Sequence, residues 1–313
     1  MKAIVLTTPG PVENLIYTEV PVPAIKTDEV LVKVKSISIN PVDCKTRMGG
    51  GVYRYGGVTE HSSLILGWDI SGTVTESKSD LFQVGEEVFG MVNFPGVGNA
   101  YAAYVAVPAA HLAKKPANIS FEEAAAATLA PLTAWQVLVH NAGIKAGDRV
   151  LIHAASGGVG HYAVQIAKNL GAYVIGTSSL KNRDFVLSLG ADEHIDYHNQ
   201  SLKDAVKDVD FVLDCIGPEN IEASLEVIKK GGQIISIVSQ FSEALLEKAA
   251  TKDINGRFIL VKSDGDDMKI LADLLEKNQL RSHVSQTFTF DEMAAAHQQV
   301  ESGRTIGKIV VNL

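Results

Sequence analysis

Glycines and small polar residues cluster in the segment HAASGGVG, residues 153–160. Against the spacing G-x-G-x-x-G, the three key positions hold Ala155, Gly157 and Gly160, so alanine replaces the first glycine. A loop of this kind between a strand and a helix lets backbone amides approach a pyrophosphate. The alternative is a tight turn that needs glycine only for a positive φ. Predicted strands and helices alternate around the segment, and this favours phosphate binding.

A second polar cluster follows the next predicted strand, YVIGTSS. The strand ends in Ser178 and Ser179, and the cations Lys181 and Arg183 come directly after it. NAD-binding proteins usually carry a carboxylate here for the ribose hydroxyls, whereas hydroxyls and cations bind a 2′-phosphate. The pattern therefore favours NADP(H). The alternative is an ordinary solvated helix start, although basic residues are disfavoured there without an anion.

Two patterns of predicted elements must position these residues. Up to about Pro116, short β-type runs separated by turns indicate a mostly antiparallel β domain. From Ser120 onward, strands and helices alternate, which is typical of a doubly wound parallel sheet with helices on both faces. Ser120 and Glu123 form a capping box that begins a helix. The apolar run after it, residues 124–139, is predicted to be a buried helix broken at Pro131.

The fold class is therefore α/β, with a mostly antiparallel β domain and a doubly wound parallel-sheet domain. The segment after Val261 lies beyond a complete parallel sheet, so we expect it to return to the β domain. The predicted domains are residues 1–118 with 263–313, and residues 119–262.

The composition is that of a soluble globular protein: 313 residues, 46% hydrophobic and 20% charged. A net charge of -8 without a basic stripe disfavours a nucleic-acid partner. Cys44 and Cys215 are too few for a disulfide framework. The N-terminus turns polar before a signal-peptide core could form, and the apolar run 124–139 is short for a membrane span. We expect a cytoplasmic protein without a membrane partner.

Further motifs occur along nearly the whole chain, in the order MKAIV, EVLVKVKSISINPVDCKTRMG, GWDISGTV, VGEEVFG, LTAWQVL, AASGGVG and GRTIGKIVV. In this order they resemble the zinc-independent medium-chain dehydrogenase/reductases, in the quinone oxidoreductase and enone reductase branch. The resemblance implies a GroES-like catalytic domain in the antiparallel part and a Rossmann NADP-binding domain in the other.

The resemblance also implies which residues contact the cofactor NADPH. The expected contacts are Ser156, Gly157, Gly158 and Val159 on the pyrophosphate; Ser178, Lys181, Arg183 and Tyr197 around the 2′-phosphate; Thr133, Ile216 and Ile237 at the nicotinamide; and Arg304 and Lys308 from the last segment. For Tyr197 the alternative is a buried tyrosine at the end of a sheet.

Zinc-bearing relatives have a cysteine near the position of Asn40, a His-Glu pair at the motif around Trp68 and Asp69, and a lobe of four cysteines. This chain has none of these residues at those places. Its histidines, His61 among them, are scattered and lack the spacing of metal ligands. We therefore expect no metal site.

Without zinc there is no Lewis acid to polarise an alcohol or carbonyl. The resemblance implies NADPH-dependent reduction of quinones or α,β-unsaturated carbonyls (enones and enals) by direct hydride transfer. Asn40, at the lost zinc position, and Tyr53, in the substrate cleft, are the catalytic candidates, with Tyr55 as the alternative to Tyr53. Two other functions stay open: a zinc-free alcohol or aldehyde oxidoreductase, and a non-catalytic NADPH-binding redox sensor or structural protein.

Relatives of this kind are commonly dimers. The predicted strands QIISIV and RFILV are candidates for a sheet edge that pairs across a two-fold axis. We therefore expect a homodimer that acts on a small-molecule substrate.

Overall fold

The computed structural model describes residues 1–56, 58 and 63–313, without the side chain of Tyr55. The chain forms two compact units. The first unit is Met1–Leu132 with Val261–Leu313, and the second unit is Thr133–Leu260. Among the described helices, none is long and apolar enough to cross a bilayer.

Residues 1–135 contain the first set of elements. The strands are β1 (Lys2–Leu6), β2 (Leu15–Glu19), β3 (Glu29–Ile39), β4 (Leu64–Ile65), β5 (Asp69–Ser77), β6 (Glu87–Met91), β7 (Tyr104–Pro108) and β8 (Leu112–Lys114). The helices are α1 (Pro41–Arg47), α2 (Val52–Tyr55), α3 (Phe121–Ala126) and α4 (Leu129–Trp135).

The next set begins after a π-helical segment, Gln136–Asn141. The strands are β9 (Arg149–Ile152), β10 (Tyr173–Ser178), β11 (Glu193–Asp196), β12 (Val209–Asp214), β13 (Ile228–Ser236) and β14 (Asn255–Phe258). The helices are α5 (Gly160–Asn169), α6 (Arg183–Ser188), α7 (Leu202–Ala205), α8 (Pro218–Ser224) and α9 (Glu243–Thr251). The chain ends with α10 (Gly265–Glu276), β15 (Val284–Thr289), α11 (Met293–Glu301) and β16 (Lys308–Asn312).

The first unit is built on a large sheet of order β15-β16-β3-β5-β6-β8, with β7 also paired to β3. Its strand pairs are antiparallel except for β15 and β16. A smaller sheet has the order β2-β1-β4. Since Ile309 of β16 pairs with Ile39 of β3, the last segment returns to the β domain as predicted.

The apolar run after Ser120 forms two helices. The capping box is confirmed: Glu123 N donates to Ser120 Oγ at 3.1 Å, and Ser120 N donates to Glu123 Oε2 at 2.9 Å. The break falls at Ala127, before the predicted Pro131, because proline is tolerated in the first turn of α4. Helix α3 packs against β3, β5 and β16. The helix thus belongs to the first unit, whose first segment ends at Leu132; the sequence placed this end at residue 118.

The second unit has a parallel sheet of order β11-β10-β9-β12-β13-β14, which confirms the doubly wound prediction. Two details differ from the sequence prediction. Helix α8 ends at Ser224 and β13 begins at Ile228, although residues 218–230 have a sequence pattern that predicts one continuous helix. Strand β13 pairs on both sides, so QIISIV is not at a sheet edge, whereas β14 is.

Candidate cofactor-binding site

The loop HAASGGVG lies in the second unit between β9 and the first turn of α5. Its conformation is held by backbone hydrogen bonds from Gly157 N to Ala154 O, 2.8 Å, and from Ala155 N to Thr177 O, 2.9 Å. The start of α5 carries the positive end of the helix dipole, and of its first amides His161 N donates to Gly157 O at 3.0 Å. This arrangement can bind an anion such as a pyrophosphate.

Two glycines of this loop differ in how closely the neighbouring backbone approaches them. The positive φ in the loop, 50°, belongs to Ala154, so a left-handed backbone is not what requires glycine at position 157 or 160. A Cβ atom on Gly157 would lie 3.2 Å from the carbonyl oxygen of Ala154, and one on Gly160 would collide with the same oxygen. Gly160 therefore permits tight packing of the helix start on the loop.

The turn after β10 is tied to this loop. Asn182 Nδ2 donates to Ser156 Oγ at 3.0 Å, and both residues are buried. The other end of the same amide, Asn182 Oδ1, is buried and has no hydrogen-bond partner. A buried acceptor without a donor is costly, so this atom is suited to accept a hydrogen bond from a ligand hydroxyl.

The residues expected at the 2′-phosphate occupy two different environments. Lys181 and Arg183 are exposed, and Arg183 Nη1 lies 3.4 Å from Asp184 Oδ1. Ser178 is buried, and its hydroxyl contacts His194 Nε2 at 2.8 Å and Ser179 O at 3.1 Å. The cations are thus available to an anion, whereas the Ser178 hydroxyl is already engaged by protein atoms.

A groove of about 550 Å³ opens at the ends of the parallel strands. Its lining includes His153, Thr177, Ile195, Tyr197, Ile216 and Asn220. Tyr197 and Ile216 are 57% and 55% exposed, so Tyr197 is not the buried tyrosine of the alternative interpretation. Tyr197 was expected near the 2′-phosphate and Ile216 near the nicotinamide, yet the structure places both beside one groove.

The polar residues below this groove bond to one another. His153 lies between Thr177 Oγ1 and Ser224 Oγ, each 3.0 Å from one ring nitrogen, and burial lowers the pKa of His153 to about 4. Asp214 Oδ1 accepts from Asn220 Nδ2 at 2.9 Å and from the Gly217 amide at 3.2 Å. The groove therefore has a fixed floor with a neutral imidazole, suited to a flat aromatic base.

These features of the second unit fit a dinucleotide. The loop amides suit the pyrophosphate, the groove suits the base, and Asn182 Oδ1 is an acceptor for a sugar hydroxyl. Sequence analysis missed Asn182, His153 and His194. Of these three residues, only His153 has a position in the sequence that could have indicated a role, because it directly follows the strand before the glycine loop.

The predicted catalytic residue Asn40 lies in a buried polar cluster of the first unit. Asn40 Nδ2 donates to Asp69 Oδ2 at 2.7 Å, and Lys308 Nζ donates to Asn40 Oδ1 and, at 3.0 Å, to Ile39 O. Lys308 Nζ lies 3.9 Å from Asp69 Oδ2. None of these three side chains is more than 3% exposed. Asn40 and Lys308, expected at the catalytic site and at the cofactor, bond to each other.

The cluster continues to a second carboxyl group and a histidine. Asp43 Oδ2 accepts from Asn40 N at 2.7 Å, and burial, together with the charge of Asp69, raises the pKa of Asp43 to about 7. Tyr101 Oη lies 3.0 Å from His297 Nε2, and burial lowers the pKa of His297 to about 3. Burial also lowers the pKa of Lys308, against the attraction of Asp69. The cluster is thus closed to solvent and nearly neutral.

The remaining predicted residues are placed as follows. Thr133 is buried in α4, Ile237 is half-buried after β13, and Arg304 is exposed before β16. Tyr53 in α2 is half-buried and packs against the core of the first unit. The alternative with Tyr55 stays open because that side chain lies outside the described residues.

In the described part of the chain, no three His, Cys, Asp or Glu side chains come together to hold a metal ion. His61, named above among the scattered histidines, lies outside the described residues.

The chain was also compared with known proteins. Residues 26–117 match the alcohol dehydrogenase GroES-like domain, and residues 189–311 match the zinc-binding dehydrogenase family. The chain is 32% identical to 2-methylene-furan-3-one reductase of Solanum lycopersicum, covering 100% of this chain and 79% of that protein. It is also 32% identical to the chloroplastic NADPH-dependent alkenal/one oxidoreductase of Arabidopsis thaliana, covering 99% and 79%.

A solved structure agrees with these matches. The quinone oxidoreductase of Coxiella burnetii has a TM-score of 0.93 and 35% identity to this chain, covering 100% of this chain and 99% of that one. The predicted family resemblance and the predicted fold are confirmed. The chain is an oxidoreductase of the medium-chain dehydrogenase/reductase family, with a GroES-like first unit and a Rossmann second unit.

Proposed function

We propose that the chain is an NADPH-dependent reductase of quinones or α,β-unsaturated carbonyl compounds that acts by direct hydride transfer without zinc. The choice of NADPH over NADH rests on the turn after β10. It presents Lys181 and Arg183 to solvent, and residues 178–183 contain no carboxylate. Cations at this place attract a 2′-phosphate, and a carboxylate would repel it.

The relatives support the class of acceptor. The names of the tomato and Arabidopsis proteins describe reduction of conjugated enones and alkenals, and that of the Coxiella protein describes reduction of quinones. Both classes contain an electrophilic conjugated system, which accepts a hydride with less polarisation than a simple carbonyl needs. This difference removes the requirement for a Lewis acid.

When bound, NADPH supplies a hydride to the β-carbon of an enone or to a quinone, and a proton from solvent or a side chain completes the reduction. The residues of the second unit bind and orient the donor. The loop amides bind the pyrophosphate, Lys181 and Arg183 bind the 2′-phosphate, and Asn182 accepts from a sugar hydroxyl. His153 stays neutral and maintains the groove for the adenine base.

For the first unit we propose two separate roles. Tyr53 remains a candidate for contact with the substrate. Asn40 acts as a positioning residue, because both ends of its amide are used by Asp69 and Lys308. This proposal replaces the direct catalytic role expected of Asn40 from the sequence.

The acceptor class is tested by following NADPH absorbance with a quinone, a simple enone, an enal and a saturated ketone. We expect turnover with a conjugated acceptor and none with the saturated ketone. Oxidation of a saturated alcohol with NADP⁺ as the preferred activity would instead indicate a zinc-free alcohol oxidoreductase. Binding of NADPH without oxidation in a single turnover with any acceptor would indicate a redox sensor or structural protein.

The zinc-free mechanism is tested by metal analysis of the purified protein and by chelation. We expect no stoichiometric zinc and unchanged activity after chelator treatment. One tightly held zinc per chain would contradict this part of the proposal.

A homodimer is proposed through the free edge of β14, and sedimentation of the purified chain checks its oligomeric state. A cytoplasmic location stays a prediction from the sequence.

A further inference from the structure

A histidine lies beside the proposed 2′-phosphate site without a role in the function proposed so far. His194 is half-buried in β11, which pairs in parallel with β10 so that Gly176 is opposite His194 and Ser178 is opposite Asp196. Because alternate residues share a face of a sheet, Ser178 and His194 lie on the same face. His194 Nε2 is 2.8 Å from Ser178 Oγ.

The proton positions follow from the partners of Ser178. Its hydroxyl donates to Ser179 O at 3.1 Å, and a hydroxyl has only one proton to donate. When the Ser178 hydroxyl donates to Ser179 O, the imidazole Nε2–H is the donor in the contact with His194 and Ser178 Oγ is the acceptor. His194 can take up a second proton on Nδ1 without losing this hydrogen bond.

The charged groups around His194 come from two elements. Helix α6 contributes Arg183 and Asp184, and β11 itself contributes Asp196; β10 contributes only the uncharged Ser178. Partial burial and Arg183 lower the pKa of His194 below its usual value, while Asp196 and Asp184 oppose this. Without a ligand, His194 is therefore mostly neutral at pH 7.

We propose that His194 is a specificity-determining residue for the cofactor and takes up a proton when the 2′-phosphate of NADPH binds beside Ser178 and Arg183. A dianion at that place favours the charged imidazole, which then adds a cation next to Lys181 and Arg183. NADH has no such phosphate and cannot recruit this charge. The inference rests on the proposed use of NADPH.

Linkage determines the direction of the effect. Since the complex binds more protons than the free protein, NADPH affinity relative to NADH rises as the pH falls from 8 to 6.5. We expect a change of about threefold to tenfold over this range, and uptake of about half a proton per NADPH at pH 7. The phosphate has a second pKa of about 6 and itself begins to take up protons below about pH 7, so His194→Gln, in which the phosphate still titrates, is measured over the same range as the unmodified chain.

The experiment is calorimetric titration with NADPH and NADH at pH 7 in two buffers of different ionisation enthalpy, which yields the number of protons taken up. His194→Gln keeps a donor for Ser178 Oγ but does not titrate, so its NADPH-linked proton uptake should fall close to zero. His140→Gln is the matched control, since His140 is exposed, belongs to the second unit and lies outside the turns after β10 and β11, so this variant should behave like the unmodified chain. NADH should show no such uptake in any of the three proteins.

A second measurement uses the unmodified chain and does not depend on the folding of a variant. The NMR titration of the His194 ring should shift to higher pH on addition of NADPH and stay in place with NADH. An unshifted ring titration, or equal proton uptake with His194→Gln, would overturn the role of His194 even if NADPH binds more tightly than NADH. Equal affinity for the two nucleotides would instead overturn the proposed use of NADPH.

Discussion

The two units bury polar side chains in different ways. In the first unit, Asn40, Asp69 and Lys308 satisfy one another and are shielded from water. In the second unit, the polar groups gather where parallel strands end, and Asn182 Oδ1 is left without a partner beside the exposed Lys181. An unused hydrogen-bonding atom does not by itself separate the two, because Asp43 Oδ1 next to the first cluster is also buried without a partner. The second cluster differs in that exposed cations and an open groove lie beside it, and this indicates a binding site.

The buried histidines of the two units show the same difference. His297 is enclosed between Tyr101 and Cys44, with its ring nitrogens 3.0 Å from Tyr101 Oη and 3.5 Å from Cys44 Sγ. His153 is equally neutral but lines an open groove. Burial alone therefore does not separate a structural histidine from one at a binding site; the space beside the ring does.

The largest expected effect is a loss of stability in the closed cluster, which consists of Asn40, Asp69 and Lys308 with the neighbouring Asp43 and His297. Lys308→Met removes the cation next to Asp69 and leaves a buried carboxylate without a counter-charge, which should lower the free energy of unfolding by about 3–5 kcal/mol. Denaturant unfolding measures the change. Lys33→Met, at an exposed position of β3, is the control and should cost about 0.5 kcal/mol or less.

A double variant, Lys308→Met with Asp69→Asn, sharpens this test because it removes both charges. It should regain part of the stability lost by the single variant. If Lys308→Met is as stable as the control, the cluster does not stabilise the first unit and the contrast between the units fails.

The next largest effect is a loss of cofactor affinity at the open site, which is the turn after β10 with Lys181, Asn182 and Arg183. Lys181→Ala combined with Arg183→Ala removes two charge-assisted bonds of about 1.5–3 kcal/mol each, so NADPH affinity should fall about a hundredfold or more. NADH affinity and the free energy of unfolding should change little. The measurements are calorimetric affinities and the ratio of kcat/KM for the two nucleotides.

The control for this pair is Lys207→Ala with Lys230→Ala, which removes the same charge from exposed positions near the starts of β12 and β13. The control should keep its preference for NADPH. Equal use of NADH and NADPH by the unmodified chain would remove Lys181 and Arg183 from the site.

A smaller effect is expected in the glycine loop. Gly157→Ala places a Cβ atom 3.2 Å from Ala154 O, a distance that the fold should tolerate. The added methyl group should, however, keep the pyrophosphate from coming close to the loop backbone. We expect about a tenfold loss of affinity for NADPH and NADH alike, about 1.4 kcal/mol.

Gly160→Ala is the contrasting variant because its Cβ atom would collide with Ala154 O. It should lower the thermal unfolding temperature as well as binding. Undiminished affinity in a folded Gly157→Ala protein would place the pyrophosphate elsewhere.

The last comparison concerns the pH dependence of stability in the closed cluster, where the effect accumulates only gradually with pH. The pKa of Asp43 in the folded state is about 7, above its ordinary 3.8, so its stabilising contribution is present below pH 4 and lost as the pH rises to 7. The pKa of His297 is lowered to about 3, so its contribution is present above pH 6.5 and lost as the pH falls.

Asp43→Asn removes the first contribution and leaves the second. The stability of this variant should therefore rise more steeply between pH 4.5 and 7 than that of the unmodified chain, by at most about 1.4 kcal/mol per pH unit. Urea unfolding at several pH values measures both slopes. Parallel curves would mean that Asp43 does not hold a proton in the folded state.

Much of this protein could be predicted from local patterns in the sequence. The glycine loop, the capping box of Ser120 and Glu123, and the alternation of strands and helices all depend on residues within a few positions of each other. Each of these patterns works through hydrogen bonds or side-chain periodicity inside one element or one turn. Such signals are readable without knowledge of the rest of the fold.

Other features were decided only by tertiary structure. Asn40 and Lys308 are 268 positions apart and meet because β16 pairs with β3. His194 reaches Ser178 because β11 pairs with β10. A buried side chain must find its hydrogen-bond partners among whatever the packed strands place next to it, and nothing in the neighbouring sequence specifies those partners. The family and the phosphate loop were therefore accessible from the sequence, while the partners of Asn40, Lys308 and Ser178 required the packed sheets.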